Sequence, residues 1–234
     1  MSADRGAELA RRLEEVRGRV AAACRAAGRD PSEITLVVVT KFFPSSDVRL
    51  LADLGVHDVG ENRHQEATAK AEELAGLPLR WHFIGGLQSN KAAAVATYAD
   101  AVHSVDRAKL VSGLSRGSLE RGRDLDVLVQ VSLDPPGADG RSGADPEQVL
   151  DLAGRLAAAD GLVLRGVMGV APLGGDAGEA FARLAEVASG VRQQHPEADW
   201  VSAGMSGDLD QAIAHGATHL RIGSAVLGPR PQNK

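Results

Sequence analysis

Eight short apolar runs punctuate the chain, and the stretches between them are helical in pattern. This alternation constrains the fold more than any other feature. The runs are Thr35–Thr40, His57–Gly60, Arg80–Ile84, Ala101–Ser104, Asp126–Leu133, Leu164–Val170, Trp200–Ala203 and His219–Ile222. Between them lie segments such as DVRLLADLG, HQEATAKAEELAG and PEQVLDLAGRLAAA, with apolar residues three or four apart. Repeated strand–helix units pair in parallel through right-handed crossovers. Eight of them close into a (β/α)8 TIM barrel, and 234 residues is close to the usual length for one. An open doubly wound sheet is the competing architecture. It favours a glycine-rich turn after the first strand, where this chain has KFFPSS. The expected fold is therefore α/β, a single barrel domain over residues 1–234. An extra N-terminal helix precedes it, because Leu9, Leu13, Val16, Val20 and Cys24 form one stripe between Glu8 and Ala27.

Composition excludes several functions. The formal net charge is −5 and no lysine/arginine run occurs, which argues against a nucleic-acid partner. Aromatic residues are 3% of the chain, too few for base-stacking platforms. The single cysteine, Cys24, can form neither an internal disulfide nor a multi-cysteine zinc site. No apolar run reaches membrane-spanning length and the N-terminus has no signal-like core, so a cytoplasmic protein without a membrane partner is expected.

Ligand chemistry in a barrel sits at the C-terminal ends of its strands. Lys41 follows the first run there, and Asn62 follows the second in the stretch GENRHQEA. His82 lies within WHFIGGLQSNK, Met205 and Ser206 within SAGMSGDLDQAI, and Arg221, Gly223 and Ser224 within RIGSAVLG. The last two stretches place glycine and serine before helical turns on adjacent loops, an arrangement suited to phosphate. A lysine partly buried beside such a site has a lowered pKa and a free amine that can condense with a carbonyl. Amine plus phosphate site suggests pyridoxal 5′-phosphate (PLP), or a sugar phosphate in a Schiff-base aldolase. Arg221 either pairs with a carboxylate, perhaps Glu61, or faces a pyridine nitrogen that it would keep unprotonated. His82 is either a core histidine or a wall of the cavity. Asn62 caps a helix or meets the ring-hydroxyl side of a cofactor. The loop from Asp134 to Pro146 is either a variable surface loop or a lid.

These motifs, in this order from Arg11 to Gly228, resemble the pyridoxal phosphate homeostasis protein family. The resemblance implies a barrel like the N-terminal domain of alanine racemase, with PLP bound as an imine of Lys41. It implies phosphate contacts from Ser206, Gly223 and Ser224, with Arg221 toward the ring nitrogen and Asn62, His82 and Met205 lining the site. It further implies a homeostasis protein rather than an enzyme, serving apo PLP-dependent enzymes, as a monomer or weak homodimer. The alternative is a PLP-dependent racemase or decarboxylase. A two-base racemase needs a proton carrier across the ring, and the one tyrosine, Tyr98, belongs to the helical stretch after the third run. Two departures stand out. Arg141-Ser142-Gly143 occupies a position where relatives often carry Lys-x-Gly, and Gly169 in MGVAP leaves a wall without a side chain.

Overall fold

The computed structural model describes residues 2–134 and 143–230. Eight parallel strands close into a barrel in sequence order. They are β1 (Thr35–Val39), β2 (Asp58–Glu61), β3 (Arg80–Phe83), β4 (Ala101–Val105), β5 (Leu125–Gln130), β6 (Leu162–Met168), β7 (Trp200–Ser202) and β8 (His219–Ile222). The ring closes where Thr35–Val38 of β1 pair with His219–Ile222 of β8. The intervening helices are α2 (Ser45–Asp53), α3 (His64–Glu73), α4 (Ala92–Ala96), α5 (Val111–Arg121), α6 (Val149–Ala157), α7 (Ala177–Gln194) and α8 (Leu209–Ala214). A four-residue turn of helix, α9 (Ser224–Leu227), follows β8. The expected barrel is therefore present. The apolar runs nevertheless overshoot the strands: β1 stops at Val39, and β5 stops at Gln130 although Val131 and Leu133 stay buried beyond it. Burial, not strand pairing, accounts for those extra apolar residues.

Side chains alternate across each strand. On β8, Leu220 and Ile222 join the apolar layer under the helices, whereas His219 and Arg221 share the opposite, inner face. The inside of this barrel is thus partly polar, with His82, His103 and Ser202 also buried. Gly166 on β6 has φ of 148°, and a Cβ there would overlap the Trp200 backbone. Only glycine admits the close β6–β7 approach.

Helix α1 (Ser2–Ala26) begins earlier than its apolar stripe. Leu9, Leu13 and Cys24 are buried, and the helix packs against α2, α8 and α9. Its first turns carry no apolar signal and are tied down by charge instead. Arg5 donates to Asp47 at 2.6 Å and to the Leu227 carbonyl at 3.0 Å. In the loop after β5, residues 135–142, including Arg141 and Ser142, lie outside the described residues. Its far end returns to the barrel through the Ser132 amide, which donates to the Ala144 carbonyl at 2.9 Å.

Candidate functional site

A cavity of about 400 Å³ opens at the C-terminal ends of the strands, within the usual size of a small-molecule pocket. Seven of the eight residues expected at the site line it. Lys41 and Asn62 come from the β1 and β2 ends, and Met205 and Ser206 from the β7 loop. Arg221, Gly223 and Ser224 come from β8 and the turn after it. Val39, Phe43, Ile84 and Val170 supply the apolar wall.

Lys41 is half-buried and makes no hydrogen bond or ion pair with any described residue. Burial lowers its pKa, the Arg230 charge adds to this, and Glu61 opposes it. Its backbone is held on both sides by a buried cluster. Lys70 on α3 donates to the Thr40 carbonyl at 2.9 Å, to Glu61 at 2.6 Å and to Glu66 at 2.8 Å. Thr40 Oγ1 donates to Glu61 at 2.7 Å, and the Phe42 amide donates to Glu66 at 2.6 Å. Phe42 has φ of 71°, a conformation that a bulky residue holds only when its surroundings impose it. Arg63 and Arg230 each lie 4.9 Å from its ring centroid. The sequence did not single out this cluster. Its only trace is Glu66 and Lys70, four apart on one helix face.

Arg221 is buried at the floor of the cavity it lines. It donates to Ser202 Oγ at 2.7 Å and to the Gly169 carbonyl at 2.9 Å. Its other N–H groups are left for a ligand. Burial pushes its pKa down to about 10, with Asp208 opposing, so it remains a cation at neutral pH. The expected alternative partner, Glu61, is engaged by Lys70 and Thr40 instead.

The β7 and β8 loops form the rim. Gly204, with φ of 92°, turns the chain out of β7, and a Cβ there would stand 2.6 Å from the Ala212 Cβ. At Gly223 a Cβ would come within 3.2 Å of the Val39 carbonyl oxygen. The first amides of the turn at Ser224 have no carbonyl of their own helix to bond. Arg19 of α1 donates to the Ser206 carbonyl at 3.0 Å, which ties the N-terminal helix to the rim.

Asn62 Oδ1 is buried without a partner among the described residues, an atom that a bound group would satisfy. A Cβ on Gly85 would overlap the Asn62 backbone, so the glycine of WHFIG is what lets the Asn62 loop approach. His82 takes the core alternative and not the lining position that the resemblance implied. It does not line the cavity but lies in the barrel interior, 2.9 Å from His103 and 2.9 Å from Asp58. Tyr98 follows α4, stacks on His64 and is also absent from the cavity wall. Gly169 leaves no gap in that wall: a Cβ there would meet Leu133 at 2.7 Å and Leu184 at 2.9 Å.

These residues fit PLP: a free amine, a donor-only cation, amides beside two rim serines and an unpartnered amide oxygen share one cavity. Residues 13–231 match the family described as alanine racemase, N-terminal domain. The pyridoxal phosphate homeostasis protein of Mycobacterium tuberculosis is 44% identical, over 97% of this chain and 95% of its own. That of Escherichia coli is 36% identical, over 97% of this chain and 99% of its own. The structure of PipY from Synechococcus elongatus with PLP bound superposes with a TM-score of 0.81. It is 35% identical and covers 94% of this chain and all of its own. The chain belongs to the pyridoxal phosphate homeostasis protein family, on the fold of the alanine racemase N-terminal domain.

Proposed function

We propose that this chain, acting as one barrel domain, holds PLP covalently through Lys41 and serves its homeostasis without catalytic turnover. The observation that carries the reading is the free, half-buried amine of Lys41 in the same cavity as Arg221 and the Ser206 and Ser224 loops. When bound, the cofactor supplies an aldehyde conjugated to an electron-accepting ring. Lys41 Nζ, with its lowered pKa, is the amine that would hold that aldehyde. Ser206, Gly223 and Ser224 would hold the phosphate, and Asn62 Oδ1 would accept a hydrogen bond from the bound group. Met205 covers the rim. Arg221 can only donate, so it would hold a ring nitrogen in its unprotonated form. An unprotonated ring withdraws electrons weakly, which suits holding rather than turnover.

A two-base racemase needs a second proton carrier across the ring. Tyr98 and the imidazole of His82, which could serve as one, are both off the cavity wall. The physiological recipients are apo PLP-dependent enzymes. The protein works as a monomer or weak homodimer in a reducing cytoplasm, consistent with its free, buried Cys24. Among the described residues no helix is long and apolar enough to cross a membrane.

The test is to reconstitute the protein with PLP, record its absorbance, and incubate it with each amino acid and with an apo-enzyme. A yellow protein that transfers PLP and leaves amino-acid chirality and amine content unchanged is expected. Turnover at ordinary enzyme rates would contradict the reading.

A further inference from the structure

The barrel interior contains a hydrogen-bonded chain that runs from the cavity toward the opposite barrel mouth. Arg221 Nη1 lies 2.7 Å from Ser202 Oγ. Ser202 Oγ lies 2.8 Å from His103 Nδ1. His103 Nε2 lies 2.9 Å from His82 Nδ1, and His82 Nε2 lies 2.9 Å from Asp58 Oδ1. These residues come from β8, β7, β4, β3 and β2. The middle of the chain is dry, since Ser202, His103 and His82 are all at most 1% exposed. Asp58 at the far end is a quarter exposed and borders a second cavity beneath α1.

Both ends fix the direction of this chain. Arginine can only donate and an ionised carboxylate can only accept. Burial raises the Asp58 carboxyl, but the His82 hydrogen bond and the Arg80 charge outweigh that and leave its pKa lowered. The four links then require one hydrogen each. Arg221 supplies the first, the Ser202 hydroxyl the second, and the two imidazoles the third and fourth. The count closes with both rings neutral and both protonated at Nε2. A second proton on either ring reverses a link: Ser202 Oγ then accepts from both Arg221 and His103, and its own hydroxyl hydrogen has no acceptor left in the chain. Burial beside Arg221, Arg80, His82 and His219 also keeps His103 neutral.

We propose that Ser202, His103, His82 and Asp58 form a one-way hydrogen-bond relay that positions the Arg221 guanidinium in the cofactor cavity. This rests on the proposed reading of that cavity. His103 and Ser202 are positioning residues, because they reach a bound ring only through Arg221. The relay explains why two imidazoles and a serine occupy a barrel interior that usually holds branched aliphatic side chains. It also gives His82 a role at the site without contact.

Two measurements test it. Nitrogen-15 histidine spectra of the ligand-free protein report tautomers without reference to PLP. Both His82 and His103 are expected as neutral Nε2–H tautomers from pH 6 to 8; an Nδ1–H tautomer or an imidazolium for either ring overturns the relay. The second measurement is PLP affinity for His103→Phe, Ser202→Ala and the double variant. Each single change is expected to weaken PLP by about tenfold, the cost of loosening a hydrogen bond to a charged group. The double variant is expected to be no weaker than either single, because one chain is broken once. Unchanged affinity, or losses that add, would overturn the proposal. Borohydride trapping at Lys41 in the wild type tests the underlying reading separately. If it fails while the tautomers hold, the relay stands and the cofactor assignment falls.

Discussion

Lys70 and Glu61 form a buried ion pair at 2.6 Å beside the backbone that carries Lys41, and the same ammonium grips the Thr40 carbonyl. Removing one partner of such a pair strands a buried charge at a cost of about 3–5 kcal/mol. Lys70→Met should therefore destabilise the fold by about that much and loosen the strained turn at Phe42. The double variant Lys70→Met/Glu61→Leu should recover much of the loss. Urea unfolding of the three proteins checks this, and a loss below about 1 kcal/mol in the single variant would show that the pair is not needed.

Arg230 depresses the Lys41 pKa, after burial itself. Arg230→Gln should raise it. Less free amine is then present at neutral pH, so PLP capture should slow, with its pH profile moved toward higher pH. Stopped-flow absorbance between pH 6 and 10 reads this. A profile unmoved by the substitution would mean that Arg230 exerts no field on the amine.

His219, held at about 3 mainly by burial, and His103, held well below its ordinary value, are both neutral in the fold. Unfolding releases them to about 6.5. Both folded values are depressed, so their stability contribution is complete above that pH and is lost as pH falls below it. Unfolding should take up roughly two protons in that window, a slope of about 2.7 kcal/mol per pH unit. His219→Gln should reduce the slope by about half. A stability flat from pH 6.5 to 4.5 would contradict the buried, neutral assignment.

Gly85→Ala drives a Cβ into the Asn62 backbone. The loop must shift, so a loss of about 1–3 kcal/mol is expected, together with weaker PLP retention, because Asn62 leaves the cavity wall. Thermal melts with and without PLP separate the two effects. Wild-type retention would remove Asn62 from the site.

The barrel was legible because strand–helix alternation is a local signal repeated eight times. Strand ends were less so, since Val131 and Leu133 are as apolar as β5 itself but pack beyond the barrel edge. The site was legible where residues sit in the short loops just past strand ends, as Lys41, Asn62 and Ser206 do. Depth along a strand was not. His82 and Ile84 share one face of β3 by the two-residue period, yet Ile84 lines the cavity and His82 sits deeper, roughly 6.6 Å along the strand. The Lys70 cluster and the His103 relay join residues up to 99 positions apart, and no local pattern announces such partners.

The measurement that tests the central claim most directly is borohydride reduction of the PLP-loaded protein, followed by peptide mass mapping. The account predicts one phosphopyridoxyl group, on the peptide containing Lys41, and none in Lys41→Ala, which should stay folded. A label on any other lysine, with Lys41 unmodified, would contradict it.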